Sequence, residues 1–124
     1  MRIIGTGSAL PQKVVTNQEL TRFLDTSDEW ISTRTGIRQR RVLSEESLSE
    51  LAARAAKAAL DSAGADASDI DFILCSTVQG EWVTPAMACV IQRDLGAACP
   101  ALDLNGACAG FVYALDAADA YLKA

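Results

Sequence analysis

Apolar and polar residues change rhythm several times along this chain, and each change marks an element. Residues 2–11, RIIGTGSALP, read as a short apolar strand ending in a Gly-Ser-Pro turn. VVTNQELTRFL reads as a strand end and then a short helix, capped at Thr16 or Asn17. In DTSDEWISTRTGIRQRR, Ser27 is placed to cap a second helix. Its first turn holds Asp28 and Glu29, where the partial positive charge of a helix N-terminus favours carboxylates. Arg34 falls in its last turn, and Gly36 stops it. IRQRRVL then alternates as a strand with its arginines on a solvated face.

Ser47 and Glu50 form an S-x-x-E capping pattern ahead of LSELAARAAKAALDSAG, an alanine-rich amphipathic helix that Gly64 ends. DIDFILCSTV is apolar enough to predict a fully buried strand. Thr84-Pro85 puts proline in the first turn of a helix, MACVIQRDL, which Gly96 ends. CPALDLN is the next strand, and CAGFVYALDAADAYLKA the last helix. Strand and helix alternating in this way predict an α/β layer with a mixed or parallel sheet and right-handed crossovers. One face of the last helix carries Ala109, Gly110, Ala114, Ala117 and Ala118, too small and apolar for a surface helix. That helix is expected to pack against something these residues do not supply.

Composition narrows the classes. The chain has 124 residues, enough for a domain with a real core, and half of them are hydrophobic, as in ordinary globular proteins. A net charge of −5 argues against non-specific nucleic-acid binding. No run reaches the length of a membrane span, and MRIIGTGS lacks a charged-then-apolar leader pattern, so a cytoplasmic setting is expected. Disulfides are rare there. Cys75, Cys89, Cys99 and Cys108 contain no C-x-x-C pair, and the chain has no histidine, so a zinc site is not expected. Core packing is the default for Cys75, Cys89 and Cys99. Gly5-Thr6-Gly7 lacks the third glycine of a dinucleotide loop and runs into Pro11 rather than a helix.

Two places carry candidate chemistry. Trp30 and Arg34 are four apart on one helix face. They form either a structural stacking pair or a surface that takes a flat ring and a phosphate, and spacing alone favours the first. Cys108 lies where the strand CPALDLN gives way to a helix through Gly106-Ala107. A strand-to-helix turn exposes a side chain, a helix N-terminus favours thiolate, nearby main-chain amides can hold an oxyanion, and the neighbours are small. Local physics weighs nucleophile and small buried spacer equally.

DTSDEWISTRTGIRQRR and ACAGFVYAL, with the opening IIGTGSALP, resemble 3-oxoacyl-[acyl-carrier-protein] synthase III, also called beta-ketoacyl-acyl-carrier-protein synthase III. The resemblance covers the whole chain but only the N-terminal part of the family's, which is more than twice as long. It implies the thiolase-like fold, a five-layer αβαβα arrangement of two similar halves, in a homodimer. Residues 1–124 would be most of the N-terminal half, with the C-terminal half absent. It implies that Cys108 is the acylated nucleophile. Trp30 and Arg34 match the residues that stack on and grip the adenine end of coenzyme A, with Thr26 nearby. Thr84 matches a position near the dimer interface that borders the partner's acyl pocket, and its small size leaves room for a primer longer than acetyl. Asn105-Gly106 stand where the family often has small apolar residues, and Asn105 is placed to cap the turn.

The implied reaction starts fatty acid synthesis. Cys108 takes an acyl group from acyl-CoA and condenses it with malonyl-acyl-carrier protein, with loss of carbon dioxide. The coenzyme A thioester is a substrate, and no metal or redox cofactor is expected. A histidine and an asparagine complete the family's site from its second half, so the 124 residues alone are expected not to catalyse condensation. A priming ketosynthase of polyketide or other secondary metabolism would carry the same motifs. A non-catalytic thiolase-like subunit would have no need for an intact ACAGF.

Overall fold

Each of the two sheets has only two strands, and each belongs to a different part of the chain. The computed structural model describes residues 1–124, which separate into two units: Leu10–Ser47, and Met1–Ala9 together with Leu48–Ala124.

In the unit 10–47 the elements are β1 (Lys13–Thr16), α1 (Asn17–Leu20), α2 (Asp28–Thr35) and β2 (Gln39–Val42). β1 and β2 pair antiparallel, with Lys13 opposite Val42 and Thr16 opposite Gln39. Of the two cap positions expected for α1, the structure uses Thr16: its hydroxyl accepts the Glu19 amide, and the Glu19 carboxylate accepts the Thr16 amide. Asn17 is instead fully buried. Its Nδ2 donates to Asp28 Oδ1 and to the Ile37 carbonyl, both at 2.8 Å, and its Oδ1 accepts from Arg40. One side chain therefore ties the start of α2, the segment after it and β2. Ser27 caps α2 by accepting the Trp30 amide, and Gly36 ends it at φ 72°, both as the sequence predicts. Of the arginines of β2, Arg41 is exposed as expected and Arg40 is less solvated. Arg40 is half-buried and bonded to Asn17 and to the Val15 carbonyl, and Arg41 donates to the Pro11 and Gln12 carbonyls.

The other unit is a βαβ layer flanked by helices. Its elements are α3 (Leu48–Ala63), a 3₁₀ turn (Ala67–Asp69), β3 (Ile73–Ser76), α4 (Met87–Leu95), β4 (Ala101–Leu104), a second 3₁₀ turn (Ala107–Ala109) and α5 (Gly110–Tyr121). β3 and β4 are parallel, with Ile73 beside Ala101 and Ser76 beside Leu104. Alternation along the strands splits the side chains between two faces. Asp103 turns to α4, bonding its amides, while Leu74 and Ser76 line a groove with Phe111, Ala114 and Leu115 of α5. The core lies where α3 packs on α4: Leu51, Met87, Ala88, Val90 and Ile91 are buried, with Cys99.

Three expectations change. Residues 2–11 form no strand, because the chain offers them no neighbouring strand, and Gly5 and Gly7 lie against α3 instead. A Cβ on Gly7 would come within 2.2 Å of the Ala55 carbonyl oxygen, so only glycine permits this approach. In DIDFILCSTV only Ile73–Ser76 is strand, and it is half-buried rather than fully buried, since a two-stranded sheet leaves one edge open. Pro85 lies ahead of α4, not in its first turn; the helix begins at Met87 after an alanine N-cap, and the Thr84–Pro85 peptide is cis.

Helix starts in this unit are closed from a distance. Asp103 accepts the Met87 and Ala88 amides of α4 at 2.8 and 2.7 Å. Glu81 accepts the Leu48 and Ser49 amides of α3 and the Ser49 hydroxyl, and that hydroxyl is the main reason its carboxyl sits below the ordinary carboxylate value. α5 stays partly uncovered within these residues: Phe111, Val112 and Tyr113 are exposed, as is Leu122 just past its end, at 72%.

Replacing Asp103 by alanine leaves two amides of α4 without their charged acceptor. The expected loss is about 2 kcal/mol of unfolding free energy, measured in urea. Asp61→Ala, which breaks only the exposed pair with Lys57, is expected to change it by less than about 0.5 kcal/mol.

Candidate active site

β4 ends at Leu104, and the chain turns through Asn105-Gly106 into the 3₁₀ turn Ala107–Ala109. Cys108 is therefore in the turn ahead of α5, not the residue that opens the helix. Backbone strain falls one residue earlier. Ala107 has φ 45°, the one non-glycine residue of the chain in the left-handed region, a conformation that costs an alanine about 1 kcal/mol. Gly106 is required by packing, since a Cβ there would lie 2.7 Å from Tyr113 Cδ2 and 2.8 Å from Gly110 Cα. Of the amides expected to face an oxyanion, Ala109 donates to the Gly106 carbonyl at 3.0 Å and Gly110 to the Ala107 carbonyl, both inside the turn.

Cys108 is exposed, and the other cysteines are not. Cys75 is half-buried, and its thiol is pushed up by burial and then by Asp103, its cross-strand neighbour. Cys89 donates weakly to the Ala101 carbonyl at 3.6 Å, and Cys99 is buried in the core. These three pack as expected. Within these residues nothing encloses Cys108 as a small buried spacer would be enclosed. No three of the chain's cysteine, aspartate or glutamate side chains converge on a point that would hold a metal ion.

On α2 the structure brings Trp30 and Arg34 together. The guanidinium lies 4.5 Å from the centre of the indole ring, a cation–π stack. The structural pairing favoured by spacing is thus present, but Trp30 remains 53% exposed. The pair offers a flat aromatic surface and a fixed cation to solvent. Thr26, just before the Ser27 cap, holds a buried hydroxyl oxygen with no hydrogen-bond partner. Such a group is costly unless something pairs with it. Thr84 is exposed in the loop 77–86, beside Val83, which is 99% exposed.

Asn17, Glu81 and Asp103 were not singled out as supports of these segments. Asn17 at a strand–helix boundary reads as a cap, Glu81 lies 33 and 32 residues from the amides it binds, and Asp103 lies 16 and 15 from its own. No local pattern marks them.

With a thiol-specific alkylating reagent in the folded protein, Cys108 is expected to react at least about tenfold faster than Cys75 or Cys89, and Cys99 last. Mass spectrometry of the cysteine peptides reads the order. Equal rates would show that the turn does not present Cys108 to solvent.

No family model matches the chain. Among curated proteins it is 46% identical over 123 residues to a beta-ketoacyl-[acyl-carrier-protein] synthase III of Vesicomyosocius okutanii, matching 99% of this chain and 39% of that protein. It is 49% identical over 124 residues to a protein of the same name from Vibrio parahaemolyticus, 39% of which it covers. The chain thus spans about two-fifths of the length of these relatives. Among solved structures, a 3-oxoacyl-[acyl-carrier-protein] synthase III from Aquifex aeolicus superposes with a TM-score of 0.95 at 46% identity, over 98% of this chain and 40% of that one. A priming beta-ketosynthase of a polyketide biosynthetic pathway superposes at 0.87 and 40% identity, over 92% and 35%. In sequence and in its thiolase-like fold, the chain is similar to the N-terminal part of the beta-ketoacyl-[acyl-carrier-protein] synthase III proteins.

Proposed function

We propose that the polypeptide carrying these residues is an acyl-CoA-primed condensing enzyme of fatty acid synthesis. The observation that carries the reading is Cys108: the one exposed cysteine, presented on a tight turn between a parallel strand and a helix. The relatives named as synthase III support it.

In the first stage the Cys108 thiolate attacks the thioester carbon of acyl-CoA. The carbon–sulfur bond to coenzyme A breaks, coenzyme A takes up a proton and leaves, and the acyl group stays on Cys108. In the second stage malonyl-acyl-carrier protein loses carbon dioxide. The electron pair of the broken carbon–carbon bond attacks the acyl carbonyl, and the Cys108 sulfur is the leaving group. The products are a 3-oxoacyl-carrier protein and the free enzyme. The 124 residues hold no histidine. The groups that assist decarboxylation are therefore the histidine and asparagine that the family resemblance implies beyond them.

Trp30 stacks on the adenine of coenzyme A, Arg34 pairs with its phosphate, and Thr26 lies nearby. Coenzyme A is a substrate here, and the chemistry uses no resident cofactor or metal. The enzyme acts in the cytoplasm as a homodimer. No helix is long and apolar enough to cross a membrane. The polyketide priming ketosynthase among the structural matches favours a second reading, the same chemistry with a primer of secondary metabolism. The two differ in the primer accepted.

The test is formation of 3-oxoacyl-carrier protein by the native polypeptide from acyl-CoA and malonyl-carrier protein. Cys108→Ala is expected to abolish it. Trp30→Ala and Arg34→Ala are expected to raise KM for acyl-CoA by about tenfold while kcat stays within about threefold. Unchanged product formation by Cys108→Ala would overturn the reading. Thr84→Phe is expected to shift the preference toward acetyl by at least about tenfold in relative kcat/KM, because the ring shortens the acyl pocket. An unchanged chain-length profile would remove Thr84 from that pocket.

A further inference from the structure

Asn105 is exposed, yet both ends of its side-chain amide are engaged. Nδ2 donates to the Val78 carbonyl at 3.2 Å, and Oδ1 accepts the Ala107 amide at 3.4 Å. These partners fix which end is which, because a carbonyl only accepts and an amide N–H only donates. Val78 lies in the loop after β3, and the Thr77 amide just before it donates to the Leu104 carbonyl at 3.2 Å. Ala107 is the residue held at φ 45°, immediately before Cys108. An asparagine oxygen accepting the amide two residues on is the bond that favours such a turn. Gly106, between them, cannot move toward α5, where Tyr113 and Gly110 already fill the space.

We propose that Asn105 is a positioning residue for Cys108. It anchors the turn to the loop after β3 and holds Ala107 in the left-handed conformation, and so sets where the thiol points. Asn105 does not itself touch substrate. The consequence for acyl transfer rests on the function proposed above; the effect on the turn does not.

The experiment uses the native full-length polypeptide with Asn105→Ala, the double variant Asn105→Ala/Ala107→Gly, and Asn105→Ser. Serine retains an acceptor for the Ala107 amide but is too short to reach Val78, and it replaces the alanine variant if that one fails to fold. Two readouts are taken: hydrogen exchange of the 106–109 amides, and single-turnover acyl transfer from acyl-CoA to Cys108. In Asn105→Ala, exchange is expected to rise and acyl transfer to fall by at least about tenfold each, with KM for acyl-CoA within about twofold. Ala107→Gly, which adopts positive φ without strain, is expected to restore at least a third of the lost transfer on a logarithmic scale. In Asn105→Ser, transfer is expected between wild type and Asn105→Ala. Unchanged transfer in the folded variant, or a loss that Ala107→Gly does not restore, overturns the inference and leaves the proposed function standing. A wild type that accepts no acyl group defeats the proposed function, while unchanged 106–109 exchange in the variant would then overturn the inference on its own.

Discussion

The start of α4 has no cap of its own. Its N-cap residue is Ala86, which offers no side-chain acceptor, and the preceding residues are Thr84 and Pro85. Buried helix amides without partners cost more than the fold can spare, so the acceptor must come from elsewhere. Asp103 supplies it from the middle of β4. That one carboxylate ties the crossover helix to the strand it leads into. Asn105, two residues further along, ties the following turn to the loop after β3. The position of Cys108 is thus set by a short run of polar side chains on one strand and its extension, each bonded to main chain far away in sequence.

The unit 10–47 solves the same problem with mostly local means. Thr16 and Ser27 cap the helices they precede. Asn17, Arg40 and Arg41 reach further, and Asn17, the buried one of the three, satisfies three partners at once. With α2 held at its first turn by Asp28, the stacked Trp30 and Arg34 stand exposed on a fixed helix. In both units, then, the residues with chemistry are exposed and those that aim them are bonded to main chain.

Local rules made much of this legible. Ser27 and Gly36 bracket α2, Gly64 and Gly96 end α3 and α4, and both strands of the parallel pair lie within the apolar runs that predict them. Cys108 and the Trp30–Arg34 pair stand out in the sequence because spacing and turn residues act over a few positions. What could not be read depends on neighbours. RIIGTGSALP has the pattern of a strand, but a strand needs a partner, and its Gly5 and Gly7 lie against α3 instead. Whether DIDFILCSTV is buried depends on how many strands flank it. Asp103 and Glu81 look like ordinary surface acids until the fold brings distant amides to them. The close approach of Gly106 to Tyr113, in the turn that places Cys108 ahead of α5, is likewise visible only in the packing.

The central claim is that this turn presents Cys108 as an acyl acceptor. The most direct measurement is the mass of each cysteine peptide after the native polypeptide is exposed to acyl-CoA alone, then to malonyl-carrier protein. The account predicts one acyl group on the Cys108 peptide, with none on the Cys75, Cys89 or Cys99 peptides, and its disappearance in the second step. An acyl group on another cysteine, or none on Cys108, would contradict it.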